Sequence, residues 1–199
     1  GRLYENGTFS YFLQVSECPK ENKTKVKVRR WLDTPEIGKY EAFTNEWHYY
    51  LKEKQIRLVF YIHPKLQEFI GTFHSEDSQI ELYSFDSVPL NQLIMHCSMM
   101  ITDYSSACWD AYYQGKPILF YQFDLDQYNK TNGSYIDMET ELWGDRCTEQ
   151  EDLVHLIKDY AENGFQEKQK YAEMRKEYFA YIDHNNCQRT YEYIKSQGY

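Results

Sequence analysis

The sequence predicts an α/β protein built on a doubly wound parallel sheet, and three observations predict it. From residue 42 onward, short apolar runs alternate with helical periodicities at the spacing of βαβ units. Runs such as "RLVFYI" and "ILFY" are apolar on both faces, as strands covered by helices above and below must be. The run "SMMIT" then stops at Asp-Tyr-Ser-Ser, a polar group that no strand or helix interior would select. In a parallel sheet the carboxyl ends of the strands are where ligand-binding loops stand.

In chain order, "TFSYFLQV" reads as the first strand. The polar stretch "SECPKENKTKVKVRRWLDTPEIGK" holds most of the local positive charge and reads as a long loop or an irregular hairpin. "EAFTNEWHYYLKEKQ" is helical, with Phe43, Trp47, Tyr50 and Leu51 on one face. "IRLVFYI" is a strand ended by His63-Pro64, and Pro64 suits the first position of a helix "KLQEFIGTF". Then come a strand "QIELYSF", a helix "SVPLNQLIMHC" and the strand "SMMITD". "YSSACWDAYYQG" is the next helix, with Gly115 as its C-terminal stop, and "KPILFYQF" the next strand. Residues 149–162 and 165–182 read as two helices and "CQRTYEYIKSQ" as a short amphipathic one. No internal repeat, low-complexity tract or composition break divides the chain, so residues 1–199 are expected to form a single domain.

The bulk numbers bound the function. A chain of 199 residues is long enough to bury roughly 70% of its unfolded surface. A formal net charge of −9 argues against nucleic acid or a bare anionic membrane as partner, since both require a basic face. No run approaches the length of a membrane span and no signal peptide opens the chain, so a cytoplasmic location is expected. The cysteines Cys18, Cys97, Cys108, Cys147 and Cys187 are scattered, with no CxxC pair, and read as reduced structural thiols. Sequons at Asn6, Asn22, Asn129 and Asn132 carry little weight without a secretory signal. No metal-ligand cluster stands out, and no cofactor is expected.

Asp103 closes the strand "SMMIT", and Ser105 and Ser106 fall where the following helix is expected to begin. A helix start presents unpaired N–H groups and a partial positive charge, which suits a phosphate. Asp110 follows Ser106 by about one turn and is expected on the same side. Ser and Asp are also ordinary helix caps, and on this stretch alone capping and ligand binding both stand. His63 adds weight to the second reading, because it too follows a parallel strand, expected to neighbour "SMMIT" in the sheet, and should open onto the same sheet edge. GxGxxG and GxxxxGK[ST] are both absent, which argues against an NAD-binding domain and a P-loop nucleotidase. What remains is recognition of a diphosphate.

These residues resemble a family. "MITDYSSACWDAYYQGKPILFYQFDLDQY" is similar to the C-terminal half of the CDP-glycerol glycerophosphotransferases and teichoic acid polymerases. The matching positions are Thr102 to Ser106, Asp110, Lys116-Pro117, Phe120-Tyr121, and Phe123-Asp124 with Tyr128 in the family's FDxxxY turn. "VFYIHPKL" upstream and "NNCQRTYEYI" downstream resemble the family's strand ending in histidine and its closing Asn-x-x-Arg helix. The resemblance implies the donor-binding, Rossmann-like half of a GT-B fold, with the N-terminal acceptor half not contained in these residues. It implies that His63, Ser105, Ser106 and Asp110 contact CDP-glycerol, the first three near the diphosphate, with Asp103 completing the set. An acceptor hydroxyl would attack the β-phosphorus and CMP would leave; no catalytic residue is assigned.

The chain departs from the family pattern in three places. A Pro-Thr-Trp/Tyr-Arg run after the first strand is not found, Arg-Gly-Phe is replaced by "NGS", and Pro-Gly-Pro by "LWGDRC". A different CDP-alcohol or a nucleotide sugar therefore stays open as donor. Nucleotide-sugar enzymes of this architecture place Gly-Gly after the strand and Glu-Glu in the helix, where this chain has Ser105-Ser106 and Trp109-Asp110. A non-catalytic binding domain is the remaining alternative. The implied partners are CDP-glycerol, the other half of the enzyme and a lipid-linked polymer acceptor. That acceptor implies peripheral association with the inner face of the cell membrane.

Overall fold

The structure is a computed structural model that describes residues 8–11, 49–62, 75, 78–131 and 133–198. Its strands are β1 (Thr8–Tyr11), β2 (Arg57–Tyr61), β3 (Ile80–Tyr83), β4 (Met100–Thr102), β5 (Ile118–Tyr121) and β6 (Asp145–Cys147). All pair in parallel in the order β3-β2-β1-β4-β5-β6. From β1 the chain builds outward on one side through β2 and β3, then crosses to build β4, β5 and β6 on the other. The order reverses between β1 and β4, the place where doubly wound sheets open a crevice for ligands. The expected fold class is the observed one.

Helices α1 (Leu90–His96), α2 (Cys108–Tyr113) and α3 (Leu125–Thr131) alternate with the later strands. Helices α4 (Gln150–Glu162), α5 (Gln169–Tyr178) and α6 (Asn186–Ser196) follow β6. Residues 49–53 end a helix ahead of β2 and bury Leu51, as its apolar spacing requires. Strand side chains alternate between two apolar layers, because successive residues point to opposite faces. Met100, Ile118 and Phe120 pack with Leu93, Ala111, Tyr112 and Trp143 on one face. Met99, Ile101, Leu119 and Tyr121 pack with Leu153, Ile157 and Tyr160 on the other. The wholly buried β4 and β5 are thus apolar, apart from Thr102 at the end of β4, because both their faces are covered.

Two glycines are required by geometry. Gly115 ends α2 with φ +73°, and a Cβ there would stand 3.0 Å from Nη1 of Arg175. Gly144 leads into β6 so close to β5 that a Cβ would lie 2.2 Å from the carbonyl oxygen of Ile118.

Several expectations need correction. The helix anticipated from Tyr104 begins at Cys108, preceded by tight turns in which Cys108 and Trp109 N–H donate to the carbonyls of Ser105 and Ser106. The helix anticipated over 165–182 spans only Gln169–Tyr178, because Gly164 and Phe165 both take positive φ and Phe179 leaves the helix extended. Helix α3 stands where a turn was expected, and the short strand β6 was not anticipated. Strands β2 and β4 were expected to be neighbours, but β1 lies between them. The stretch 16–39, the helix "KLQEFIGTF", His63 and Cys18 lie outside the described residues. Cys97, Cys108 and Cys147 are buried free thiols, and burial pushes the Cys108 and Cys147 thiols up to about 12. Those two stay protonated and inert at neutral pH.

Candidate functional site

The candidate site is the loop that leaves β4. Every residue of β4 is buried, and Asp103, 2% exposed, continues the strand's line to the carboxyl edge. There the Asp103 carboxylate accepts the N–H of Tyr104, which turns the chain out of the sheet. Tyr104 braces the turn. Its ring stacks on Tyr128 at 3.7 Å with 7° between planes, and its hydroxyl donates to Asp124 Oδ1 at 3.0 Å. Burial, and then the neighbouring Asp124 carboxylate, hold that hydroxyl well above the usual tyrosine range. It therefore acts as a permanent donor.

The next residues are the first to open outward. Ser105 is half-buried, and its Oγ accepts the Ala107 N–H at 3.3 Å, which fixes the hydroxyl within the turn. Ser106 is exposed. Among the described residues no carbonyl accepts the N–H of Ser105 or of Ser106. The loop therefore offers two hydroxyls and two amide donors at one point. Helix α2 has six residues, too few for a strong macrodipole, so those four groups and not a helix terminus are what an anion would meet.

Asp110 is exposed and stands at the rim of a shallow cleft of about 450 Å³. Trp109, Tyr113, Tyr178, Tyr181 and Asn186 line the same cleft. Trp109 is held there by stacking on Trp143 at 3.6 Å. Ser106 precedes the helix instead of sitting on its first turn, so regular helical spacing does not relate it to Asp110. Asp103, Ser105, Ser106 and Asp110 are thus brought to one sheet edge, with Asp103 buried beneath and the others outward. His63 lies outside the described residues. Strand β2, which precedes it, ends on that same edge, since Tyr11 pairs with both Phe60 and Ile101.

Other residues shape the site without having been singled out as its members. Asp124 and Tyr128 stood in the sequence only as parts of a matching turn, yet they hold Tyr104 in place. Gln122, 1% exposed, donates from Nε2 to the Asp103 carbonyl at 3.0 Å and accepts from Arg146 Nε at 2.9 Å. A lone glutamine at the end of "ILFY" was the available signal for it. Among the described residues no group of three or more His, Cys, Asp and Glu is gathered to hold a metal ion.

Fold and site together define a Rossmann-like domain with a polar, anion-compatible loop at the strand-order reversal. The sequence profile described as CDP-Glycerol:Poly(glycerophosphate) glycerophosphotransferase matches residues 34–196, and the chain belongs to that family. The "Minor teichoic acid biosynthesis protein GgaB" of Bacillus subtilis (strain 168) is 28% identical over 167 residues, 83% of this chain and 18% of its own length. A "Teichoic acid glycerol-phosphate primase" of the same organism is 32% identical over 107 residues, 54% of this chain and 27% of its own. Among solved structures, the wall teichoic acid polymerase TagF superposes with a TM-score of 0.64 at 17% identity, over 98% of this chain and 46% of that one. At that identity the likeness is one of fold. The chain spans less than half the length of each of these relatives.

Proposed function

We propose that this chain is the donor-binding domain of a glycerophosphotransferase, one that moves glycerol phosphate from CDP-glycerol to an acceptor hydroxyl of a teichoic-acid-like polymer. The observation that carries the reading is the Asp-Tyr-Ser-Ser loop. In a chain of this family, it stands at the carboxyl edge where the strand order reverses. Ser105 and Ser106 supply hydroxyls and amides to the diphosphate, and Asp110 meets an uncharged part of the donor. A carboxylate facing phosphate would only repel it. His63 approaches the diphosphate from the end of β2. In the reaction an acceptor oxygen bonds to the β-phosphorus, the bond from that phosphorus to the bridging oxygen breaks, and CMP leaves. The acceptor's proton is released in the same exchange. Such transfers rest on alignment and charge stabilisation. The groups that align the acceptor lie on the other half of the enzyme, and residues 1–199 form one domain that binds without transferring. A lipid-linked acceptor would bring the enzyme to the membrane's inner face. Among the described residues no helix is long and apolar enough to cross it.

A second CDP-alcohol deserves a place in the test, because a "Teichoic acid poly(ribitol-phosphate) polymerase" of Bacillus spizizenii is also 28% identical, over 110 residues. Titrating the chain with CDP-glycerol, CDP-ribitol, CMP and a UDP-sugar separates the readings. Saturable binding of CDP-glycerol, stronger than of the other three, is expected. Preference for the UDP-sugar, or no binding at all, would overturn the proposal.

A further inference from the structure

Gln122 and Arg146 form a polar relay that the donor-binding reading leaves unused. Gln122 directly follows β5 and is 1% exposed, a place where an amide is retained only if its groups are satisfied. They are satisfied in full. Its backbone N–H donates to the Cys147 carbonyl of β6 at 2.9 Å. Its side-chain Nε2 donates to the Asp103 carbonyl at 3.0 Å and lies 3.6 Å from Met138 Sδ. Its Oε1 accepts Nε of Arg146 at 2.9 Å.

The chemistry of the two ends makes this arrangement one-directional. A guanidinium can only donate, so the oxygen of Gln122 must face Arg146. A carbonyl can only accept, so the NH₂ of Gln122 must face Asp103. The edge strand β6 thereby fixes the orientation of an amide at the end of its neighbour β5. That amide in turn fixes the carbonyl immediately before Tyr104 and the two serines. Arg146 also stands close enough to the Tyr104 hydroxyl to oppose the upward shift that burial and Asp124 impose on it. Arg146 therefore bonds one brace of the loop, the Gln122 amide, and its charge reaches the other, the Tyr104 hydroxyl.

We propose that Arg146 is a positioning residue: acting through Gln122, it sets the pose of the Asp103–Ser106 loop in which Ser105 and Ser106 present their donors. The inference rests on the donor-binding reading for its consequence in affinity, but the pose of the loop can be measured without any ligand.

The experiment compares wild type with Arg146→Met, Arg146→Lys and Gln122→Glu by amide hydrogen exchange over residues 104–107 and by CDP-glycerol titration. Methionine removes the donor, whereas lysine keeps a group that can only donate. Glutamate keeps the shape of Gln122 and its bond to Arg146 but turns an acceptor toward the Asp103 carbonyl. Exchange at Tyr104 and Ala107, whose N–H groups donate to the Asp103 carboxylate and to Ser105 Oγ, about tenfold faster in Arg146→Met and Gln122→Glu is expected, with affinity about tenfold weaker and Arg146→Lys near wild type. A merely structural role would lower the melting temperature and leave both local exchange and the affinity of the folded protein unchanged. That result overturns the inference. Should Arg146→Met not fold, the isosteric Gln122→Glu decides by the same two readouts. If wild type binds no CDP-glycerol, the proposed function fails, while the exchange comparison still settles whether the relay holds the loop.

Discussion

The centre of the sheet and the C-terminal helices are attached to this protein by different physics. Strands β4 and β5 are buried on both faces, and apolar contact holds them. Helices α5 and α6 contribute one buried residue between them, Tyr171, and beyond the contacts of Met174 and Tyr178 with the core they are held by polar latches. Arg175 donates to Glu167 and lies over the Tyr112 ring. Asp145 accepts from Lys168, Tyr160 and Tyr171. Arg189 grips Asp183 through two nitrogens, and the Tyr113 hydroxyl donates to the Asp183 carbonyl at 2.8 Å. Apolar burial does not titrate and is not screened by salt, whereas polar latches titrate and are screened. The loop that carries Ser105 and Ser106 begins in the first region and borders the second at the Asp110 cleft.

The contrast can be broken most forcefully at its apolar end. Phe120 is 1% exposed and meets Trp143 edge-on at 5.5 Å. Phe120→Ala should cost about 3–5 kcal/mol, read as a lowered denaturant midpoint with an unchanged slope. A loss below 1 kcal/mol would mean that the two apolar layers are not what holds the sheet. Replacing Ser105 and Ser106 together by alanine should weaken CDP-glycerol binding by about two orders of magnitude, since each bond to a charged oxygen contributes roughly 1.5–3 kcal/mol. The melting temperature should hardly move. Unchanged affinity in a titration would remove the serines from the site.

The latches should reveal themselves through pH. Burial raises the Asp145 pKa, but hydrogen bonds from Lys168, Tyr171 and Tyr160 outweigh it and leave the carboxyl below its ordinary value. A depressed carboxyl contributes stability that is present above the unfolded pKa and lost as pH falls through the folded one. Lys168 is shifted upward by the same pair, despite the opposing effect of burial, so its share is lost only as pH rises through its raised value. Asp145→Asn should therefore cost about 1–3 kcal/mol at neutral pH, a figure discounted because Lys168 is 38% exposed. In chemical denaturation the gap to wild type should close as pH drops below the normal carboxylate range. A gap independent of pH would rule out the charged latch.

The smallest effect belongs to the outermost latch. Arg189, with help from the Asn185 N–H, draws Asp183 down to about 2, and its guanidinium lies 4.0 Å from the centre of the Tyr181 ring. Both charged groups are solvent-exposed, so Arg189→Ala should leave the global melting temperature unchanged. Limited proteolysis should instead cut residues 179–198 faster. Equal cleavage rates would show that α6 is held by something else.

Against these two regions, the reach of the sequence has a physical explanation. Strands β4 and β5 were legible because continuous apolar runs have no other use in a domain of this size. Helix α4 was legible because Leu153, Ile157 and Tyr160 keep a helical period on its buried face. The Asp-Tyr-Ser-Ser loop stood out by contrast with its flanks. Strand β6, "DRC", escaped notice because an edge strand of three residues needs no apolar run and two of its residues are charged. The stop of α5 was missed because "YFAYI" continues an apolar pattern while Phe179 turns extended to pack beside Tyr112 and Tyr113. Strand order was beyond local pattern altogether. That β1 separates β2 from β4 is decided by which crossovers the whole sheet can accommodate, and no window of residues records it. The same holds for the Gln122–Arg146 relay, whose members are 24 residues apart.

The place of β1 also governs how the molecule comes into being. It is the earliest described strand to leave the ribosome, and it ends in the middle of the sheet. Ser10 pairs with Val59 on one side and with Met100 on the other. At a synthesis rate of roughly 5–20 residues per second, its second partner emerges on the order of 5–20 s after it. Throughout that wait one side of β1 is an open edge, the kind of surface that recruits foreign strands. The nascent chain is therefore most exposed to misassembly before β4 appears, and chaperone demand during translation should fall once residues near Met100 have cleared the exit tunnel.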